Sequence, residues 1–339
     1  MHGNRRGLTA AVVTLLAGLS LASPVRLAAA DSSATCREHR VPVSALPGVG
    51  GTYHIAGTLC TPASGSPGTI QLLIPGAAYN RTYWDFPVPG YSYARAAAAR
   101  GQATFAIDRF NTGASSHLPP ALVTVDLDAA AVHKVISALR DGQVGGVPFS
   151  RVVTVGHSLG SGIAVQEAAT YHDVDGVILT GFTDYISAET LVGLSTLQLL
   201  APAPNEPVGE LTTPPGERER WFYVKENADP AVIAKDEATK DTSTASEIAT
   251  VSVPGLTLPT HLITAPVFLA IGGKDINWVC VARPCGDAAT LRRTEAPRFT
   301  AASSLEAYAL PGAGHNINLH RNRNEFFDAA AGWVDRRVG

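Results

Sequence analysis

The strongest constraint on the fold is a Gly-His-Ser-Leu-Gly pentapeptide at residues 156–160. An apolar, β-branched run precedes it at residues 151–155, and a helix-like run follows it at residues 161–170. Because β-branched residues favour buried strands, this order predicts a strand that turns directly into a helix. So tight a turn leaves no room for side chains at its two flanking positions, which accounts for a glycine at each. The turn pushes Ser158 out beyond the sheet edge, where a base can reach its hydroxyl.

Short apolar runs recur along the chain and are typical of strands that are buried on both faces of a parallel sheet. The predicted core strands cover residues 70–74, 103–107, 152–155, 177–179, 267–271 and 307–310. Predicted helices lie at residues 91–100, 122–139, 161–170 and 325–337, and an alternating stretch at residues 51–60 predicts an edge hairpin strand. This alternation predicts an α/β fold, with a mostly parallel central sheet and helices on both faces.

The alternation is interrupted once, at residues 185–262, which contain no convincing core strand. An apolar segment at residues 190–200 is followed by a Pro-rich link, a Trp-Phe-Tyr run at residues 221–223 and a polar, helix-like run. Insertions of this length in a compact domain are usually functional. We interpret residues 185–262 as a helical lid over the active site.

The N-terminus has the pattern of a signal peptide at residues 1–30. An arginine pair precedes an apolar stretch at residues 8–22, and three alanines at residues 28–30 supply a cleavage site. The alternative is a membrane anchor, but the stretch is shorter than the roughly 20 residues that a spanning helix needs. We therefore expect an extracellular protein without a stable membrane anchor, with one domain over residues 31–339.

The cysteines fit an exported protein, because an even number in such a chain indicates disulfides. There are 4 cysteines, and their short separations favour pairing Cys36 with Cys60 and Cys280 with Cys285. Free buried thiols are the alternative. We expect no metal, since no C-x-x-C spacing of a zinc site is present.

A serine nucleophile needs a base within hydrogen-bond reach and an acid that orients the base. His315 ends a Gly-Ala-Gly-His turn directly after the last predicted strand, and we predict that it is the base. Asp275 follows the preceding strand through Gly-Gly-Lys and is the predicted acid. Asp184, which follows the strand before that one, is the alternative acid.

Acyl transfer also needs backbone N–H groups that stabilise the oxyanion. Leu159 directly follows the predicted nucleophile, and Ala77 lies in the loop after the first core strand, so both are predicted donors. Three aromatic residues near this loop, Tyr79, Tyr83 and Trp84, are candidates for a substrate pocket. Core packing is the alternative for these three side chains.

These motifs resemble those of the α/β-hydrolase superfamily, in its secreted bacterial, esterase- and lipase-like branch. The shared motifs are the turn at Ser158, the loop that ends at Asp275 and the turn that ends at His315. Residues 107–115 also resemble a D-R-x-G-x-G-x-S loop of many members, with Asn111 in place of the first glycine. The resemblance covers most of the chain after residue 50, outside the predicted lid.

The chain departs from this family at Pro75, because a His-Gly pair usually stands where this sequence has Pro-Gly. The departure bears on the detailed geometry of the oxyanion loop but leaves a backbone donor in place. A serine at the turn argues against the related haloalkane dehalogenases and epoxide hydrolases, which use an aspartate nucleophile.

Together, the motifs and the resemblance imply a secreted serine hydrolase that cleaves carboxylic esters, with lactones and lipid-like esters among the candidate substrates. The alternatives are a peptidase, thioesterase or acyltransferase with the same triad, and a non-catalytic binding protein on the same scaffold. We expect a small, apolar ester substrate and no cofactor. A net charge of −3 and the lack of basic clusters argue against nucleic acid as a partner. The sequence does not indicate an oligomeric state.

Overall fold

The buried apolar runs form the centre of one mixed sheet in the computed structural model of the chain. The structure describes residues 1–3, 34–184, 200–251, 258–275, 279–280 and 286–339. Most of the predicted signal peptide therefore lies outside the described residues, as do Cys285 and part of the predicted lid. None of the helices in the described part of the chain is long and apolar enough to cross a membrane.

Among the described residues, the main sheet has 8 strands. They are β1 (Ala34–Leu46), β2 (Val49–Pro62), β3 (Thr69–Ile74), β4 (Ala103–Ile107), β5 (Arg151–His157), β6 (Gly176–Thr180), β10 (Val267–Gly272) and β11 (Leu305–Leu310). Their order in the sheet is β1-β2-β4-β3-β5-β6-β10-β11. Strands β3 to β11 of this sheet pair in parallel, whereas β2 pairs antiparallel with both β1 and β4.

All the predicted core strands are present, and the predicted fold class is confirmed. The prediction failed at the edge of the sheet, because β1 was missed and it, rather than β2, is the outer strand. Strand β1 carries charged and polar residues on its exposed positions and only a few buried apolar ones, so it lacks the continuous apolar run of a core strand.

Helices connect the parallel strands and cover both faces of the sheet. The α-helices are α1 (Tyr93–Ala99), α2 (Val125–Arg140), α3 (Leu159–Tyr171), α4 (Arg218–Phe222), α5 (Pro230–Ala238), α6 (Ala245–Val251), α7 (Ala288–Glu295) and α8 (Arg323–Arg337). Short 3₁₀ turns lie at Arg81–Tyr83, Pro120–Leu122, Lys225–Asn227, Thr260–Leu262, Ala296–Arg298 and Ile317–Leu319. Successive side chains of a strand point to opposite faces. Accordingly Leu72 and Ile74 belong to one core cluster and Leu73 to the other.

The segment between β6 and β10 has small elements of its own. Strands β7 (Ala201–Pro202), β8 (Glu210–Thr212) and β9 (Ser243–Thr244) form a second, antiparallel sheet, and helices α4, α5 and α6 lie in the same segment. The described part of this insertion is thus a mixture of short strands and helices, where the sequence predicted helices alone. Its role as a lid remains a proposal.

A disulfide closes the hairpin at the sheet edge. Cys36 lies directly opposite Cys60 in the register of β1 and β2, and the two cysteines are bonded. Cys280 is also disulfide-bonded, but its predicted partner Cys285 lies outside the described residues. The first predicted pairing is therefore present, and the second remains a prediction.

We expect replacement of both Cys36 and Cys60 by alanine to lower the free energy of unfolding. The bond joins residues separated by 24 positions, and restricting such a segment in the unfolded chain corresponds to about 3 kcal/mol. Urea denaturation followed by tryptophan fluorescence measures the change. The double variant Thr35→Ala/Thr61→Ala is the control, since this pair is the neighbouring one in the same register. An unchanged urea midpoint in the cysteine variant would contradict the prediction.

Candidate active site

Ser158 occupies the turn between β5 and α3 in a backbone conformation that is rare for a residue with a side chain. Its φ is 52° and its ψ is −117°, in the positive-φ region that non-glycine residues seldom adopt. The side chain of Ser158 is partly exposed, whereas its neighbours His157 and Leu159 are buried. The turn therefore presents one hydroxyl at the carboxyl end of the central strand.

The two glycines of the pentapeptide are required by backbone contacts. A Cβ atom on Gly156 would lie 2.4 Å from the carbonyl oxygen of Gly160. A Cβ atom on Gly160 would lie 2.3 Å from the carbonyl oxygen of Ile74, at the end of β3. Both distances are far below a van der Waals contact. A larger residue at position 160 would push the turn away from β3, and one at position 156 would push the start of α3 away from β5.

The predicted base and acid meet in a direct hydrogen bond. His315 Nδ1 lies 2.8 Å from Asp275 Oδ2, and both side chains are buried. Their loops are in contact, because a Cβ atom on Gly272 would lie 2.0 Å from the carbonyl oxygen of Gly314. An Nδ1–H that donates to the carboxylate leaves Nε2 as the basic nitrogen of the imidazole.

His315 also lies beside the turn that holds Ser158. Its ring centroid is 4.9 Å from that of His157, the residue directly before the serine. A Cβ atom on Gly181 would lie 3.0 Å from the Cε1 atoms of both His157 and His315. The structure therefore brings Ser158, His315 and Asp275 together at the carboxyl edge of the sheet.

The alternative acid, Asp184, has other partners. Thr260 donates a hydrogen bond of 2.9 Å to its Oδ2, and its backbone N–H lies 3.2 Å from Glu295 Oε2. Burial raises the pKa of Asp184 to about 6. The structure thus places Asp275, and not Asp184, against the imidazole of His315.

The two predicted oxyanion donors are backbone N–H groups in segments beside Ser158. Within the described part of the chain, the N–H groups of Ala77 and Leu159 donate no hydrogen bond. Leu159 is the first residue of α3, where the helix dipole favours negative charge. The loop that contains Ala77 passes close to the serine, because a Cβ atom on Gly76 would lie 3.2 Å from Ser158 Cβ.

This loop is held by side chains on both sides of Ala77. Arg109 Nη2 donates to the carbonyl oxygen of Gly76 at 3.2 Å, and the N–H of Ala78 donates to Ser243 Oγ at 2.9 Å. Arg109 is fully buried and forms an ion pair with Glu247 on α6. The predicted donor loop is therefore anchored to the insertion, although Pro75 replaces the family's histidine.

Sequence reasoning missed a buried polar cluster centred on Asp236 in α5. Arg218 of α4 holds this carboxylate with two hydrogen bonds of 3.1 and 2.9 Å. The hydroxyl groups of Tyr79 and Tyr223 donate to it at 3.1 and 2.8 Å. Asn316, which directly follows the base, donates to the hydroxyl oxygen of Tyr79 at 2.6 Å. We call these five residues the Asp236 cluster.

The Asp236 cluster joins the insertion to both catalytic loops, since Tyr79 belongs to the oxyanion loop and Asn316 to the loop of the base. Burial raises the pKa of Tyr79 and of Tyr223 well above the usual value, which keeps both hydroxyl groups as donors. No local pattern in the sequence marks this cluster, because its members come from four separate segments of the chain.

The predicted aromatic pocket needs correction. Tyr79, Tyr83 and Trp84 are 3%, 1% and 0% exposed and belong to a core cluster. Tyr83 stacks on the ring of His157 at 4.4 Å, and Trp84 packs against Tyr93 at 5.3 Å. These contacts agree with core packing, which was the alternative for these three side chains.

A cavity beside His315, the predicted base, is lined in part by residues of the insertion. It has a volume of about 360 Å³ and borders His315, Asp275 and the 220–224 segment. Phe222 from this segment stacks on the imidazole of His315 at 5.6 Å. Ser158 is not among the described lining residues, so the cavity reaches the acid–base pair from the side of α4. The Trp-Phe-Tyr run in the insertion was the sequence signal for this wall.

Comparison with known proteins agrees with the fold. The sequence model described as the alpha/beta hydrolase family matches residues 71–329. No curated protein sequence matches the chain.

Several solved structures have a similar fold. A thermophilic esterase from Thermogutta terrifontis has a TM-score of 0.61 at 18% identity, and the match covers 88% of this chain and 98% of that one. A soluble variant of monoglyceride lipase from Saccharomyces cerevisiae has a TM-score of 0.61 at 17% identity, with 88% and 96% covered. A putative aryl esterase from Burkholderia cenocepacia has a TM-score of 0.56 at 16% identity, with 89% and 99% covered. At these identities the likeness concerns the fold.

A second histidine, His320, holds the loop of the base in place. Its Nε2 accepts hydrogen bonds from the N–H groups of Gly314 and Val224 at 3.0 and 3.1 Å. Its Nδ1 donates to the carbonyl oxygen of Asn316 at 2.8 Å. This arrangement requires a neutral ring, and burial lowers the pKa of His320 to about 4.

We expect His320 to make the folded state sensitive to acid. The unfolded chain takes up this proton near the ordinary pKa of 6.5, whereas the folded chain does so only near pH 4. Neutral His320 therefore contributes about 3 kcal/mol to the free energy of unfolding. This contribution is complete above pH 6.5 and is lost as the pH falls towards 4.

Urea denaturation measures this loss between pH 4, near the pKa of folded His320, and a pH about 1 unit above the ordinary histidine pKa. Because the pKa of Asp184 is raised in the folded state, this carboxyl makes the free energy of unfolding rise as the pH falls over an overlapping range. The comparison with His320→Gln therefore isolates the contribution of the histidine. Equal pH slopes for the two proteins would rule out this role of His320.

Proposed function

The chain belongs to the alpha/beta hydrolase family, and from this premise we propose that it is a secreted serine hydrolase that cleaves carboxylic esters. The observation that carries the proposal is the hydrogen-bonded pair His315–Asp275 beside the turn of Ser158. This pair supplies the base and the orienting acid that a serine nucleophile needs.

In the proposed reaction Ser158 Oγ attacks the ester carbonyl while His315 Nε2 takes the hydroxyl proton. Asp275 accepts the hydrogen bond of Nδ1–H, fixes the tautomer of the imidazole and stabilises its cationic form. The burial of this pair strengthens their interaction, because little water screens the two charges.

The N–H groups of Ala77 and Leu159 stabilise the oxyanion of the tetrahedral intermediate. Donors of this kind act in the transition state without reorganisation, since the backbone already holds them in place. Collapse of the intermediate expels the alcohol, which receives the proton from His315. Water then attacks the acyl-enzyme with His315 again as the base, and the acid product leaves.

The proposed substrate is a small ester with an apolar group. The rings of Trp221, Phe222 and Tyr223 border the cavity at the base, and apolar walls favour apolar groups of a ligand. Solved structures of similar fold include an esterase and a monoglyceride lipase, which supports an ester as the substrate class. Export is supported by the signal-peptide pattern of residues 1–30 and by the Cys36–Cys60 disulfide.

We expect Ser158→Ala to lower kcat/KM for p-nitrophenyl butyrate by at least about 10³-fold, because no other group takes the role of the nucleophile. A fluorophosphonate probe should label the natural protein and fail to label this variant. Ser303→Ala is the matched control, since Ser303 lies on an exposed bend. Near-full activity of Ser158→Ala, with circular dichroism unchanged, would refute the mechanism.

The two candidate acids are separated by Asp275→Asn and Asp184→Asn. We expect a loss of about 10³- to 10⁴-fold in kcat/KM for Asp275→Asn, because an amide favours the wrong tautomer of the imidazole. The Asp184 variant should stay within about threefold of the natural protein, since the hydrogen-bond partners of Asp184 are Thr260 and Glu295 and not the imidazole of His315. A larger loss for Asp184→Asn would reverse the assignment.

A further inference from the structure

Three side chains that can bind a metal meet between α2 and α3, at the end of α3 that is remote from Ser158. They are His133 of α2, Glu167 of α3 and Asp173, which follows α3. One ligand atom from each lies within 4.8 Å of the other two. His133 Nδ1 is 2.8 Å from Asp173 Oδ2 and 4.0 Å from Glu167 Oε1.

Glu167 is the unusual member of this group. Its side chain is 0% exposed, and neither of its carboxylate oxygens has a hydrogen-bond partner. Asp173 Oδ1 is also buried without a partner. Buried carboxylate oxygens are normally hydrogen-bonded or paired with a cation, because desolvation of the charge is otherwise uncompensated.

The nearest arginine does not satisfy these oxygens. Arg140 donates instead to the backbone carbonyl of Asp173 at 2.6 Å and to Asp175 Oδ2 at 2.7 Å. Burial and the neighbouring Asp173 carboxylate raise the pKa of Glu167, and the positive charge of Arg140 lowers it by less. The cluster therefore has an excess of negative groups around one imidazole nitrogen.

We propose that His133, Glu167 and Asp173 form a structural site for a divalent zinc-like cation. One imidazole nitrogen and two carboxylate oxygens are ligands that Zn²⁺ accepts, whereas Ca²⁺ takes six to eight oxygens. Tetrahedral zinc with bonds near 2.1 Å separates its ligand atoms by about 3.4 Å. The distances from His133 Nδ1, 2.8 and 4.0 Å, lie on either side of this value.

The surroundings favour a cation and its access. Tyr171 stacks on the imidazole of His133 at 3.9 Å, which fixes the orientation of the ring. His133 and Asp173 are each 26% exposed, so a cation and a water ligand can enter from solvent. The site lies at the C-terminal end of α3, where the helix dipole favours positive charge.

A cation at this site would join α2 to α3 and neutralise the buried carboxylates. Its role is structural, since the site is at the opposite end of α3 from the proposed nucleophile. This inference does not depend on the proposed esterase function. We predicted no metal from the sequence because no Cys or His stands at the C-x-x-C spacing of a zinc site. His133, Glu167 and Asp173 come from different segments and form no such motif.

Equilibrium dialysis of the full chain against Zn²⁺, with metal analysis of both compartments, tests the proposal. We expect one tightly bound zinc per chain, and a rise in Tm of about 4 °C at a free zinc concentration 100-fold above Kd. Glu167→Gln should weaken zinc binding by at least about 100-fold. Its Tm without metal should be no lower than that of the natural protein, because a buried amide carries no charge.

His172→Asn is the matched control, since His172 is exposed, directly precedes Asp173 and has the left-handed backbone conformation that asparagine tolerates. We expect this variant to bind zinc with unchanged affinity. Equal zinc affinity in Glu167→Gln and the natural protein, or no Tm change with zinc, would overturn the site. A Tm rise with Ca²⁺ and none with Zn²⁺ would overturn the choice of metal. Hydrolysis of p-nitrophenyl butyrate should be the same with and without zinc.

Discussion

The rest of the site depends on the backbone contact between the turn of Ser158 and the end of β3. Gly160 approaches the carbonyl oxygen of Ile74 so closely that no Cβ atom fits between them. The chain continues from Ile74 directly into the loop of Gly76 and Ala77. This steric contact brings the loop of Ala77 close to Ser158, and the side chains that bond Gly76 and Ala78 then hold the loop there.

Much of the fold followed from the sequence because a strand buried on both faces leaves a continuous apolar run, as at residues 70–74 and 267–271. The positions of His315 and Asp275 could also be predicted from the sequence, since each follows such a run through glycines. The Asp236 cluster could not be predicted, because its members meet only after the insertion folds over the sheet. Strand β1 was missed because its exposed face alternates charged and polar residues, as an outer strand does.

Two fully buried ion pairs lie where the insertion meets the loops of the site. Arg218–Asp236 lies within the insertion, and Arg109–Glu247 joins the insertion to the loop after β4. Burying such charges costs solvation energy, so an ion pair adds little net stability compared with an apolar contact of the same size. The ion pairs instead fix the geometry of the loop that contains Ala77. Arg218 also donates to the backbone carbonyl of Ala78, and Arg109 donates to that of Gly76. The ion pairs define where that loop lies.

The Asp236 cluster has a consequence for how such a domain diversifies. Specificity in this architecture is expected to change when the insertion is exchanged while the sheet and its loops are kept. Here the insertion provides Arg218 and Asp236, and the sheet loops provide Tyr79 and Asn316. The hydrogen bonds of the cluster therefore form only when both parts are present. A transplanted insertion without that carboxylate would leave the buried hydroxyl group of Tyr79 without an acceptor for its proton. The two parts are therefore constrained to vary together.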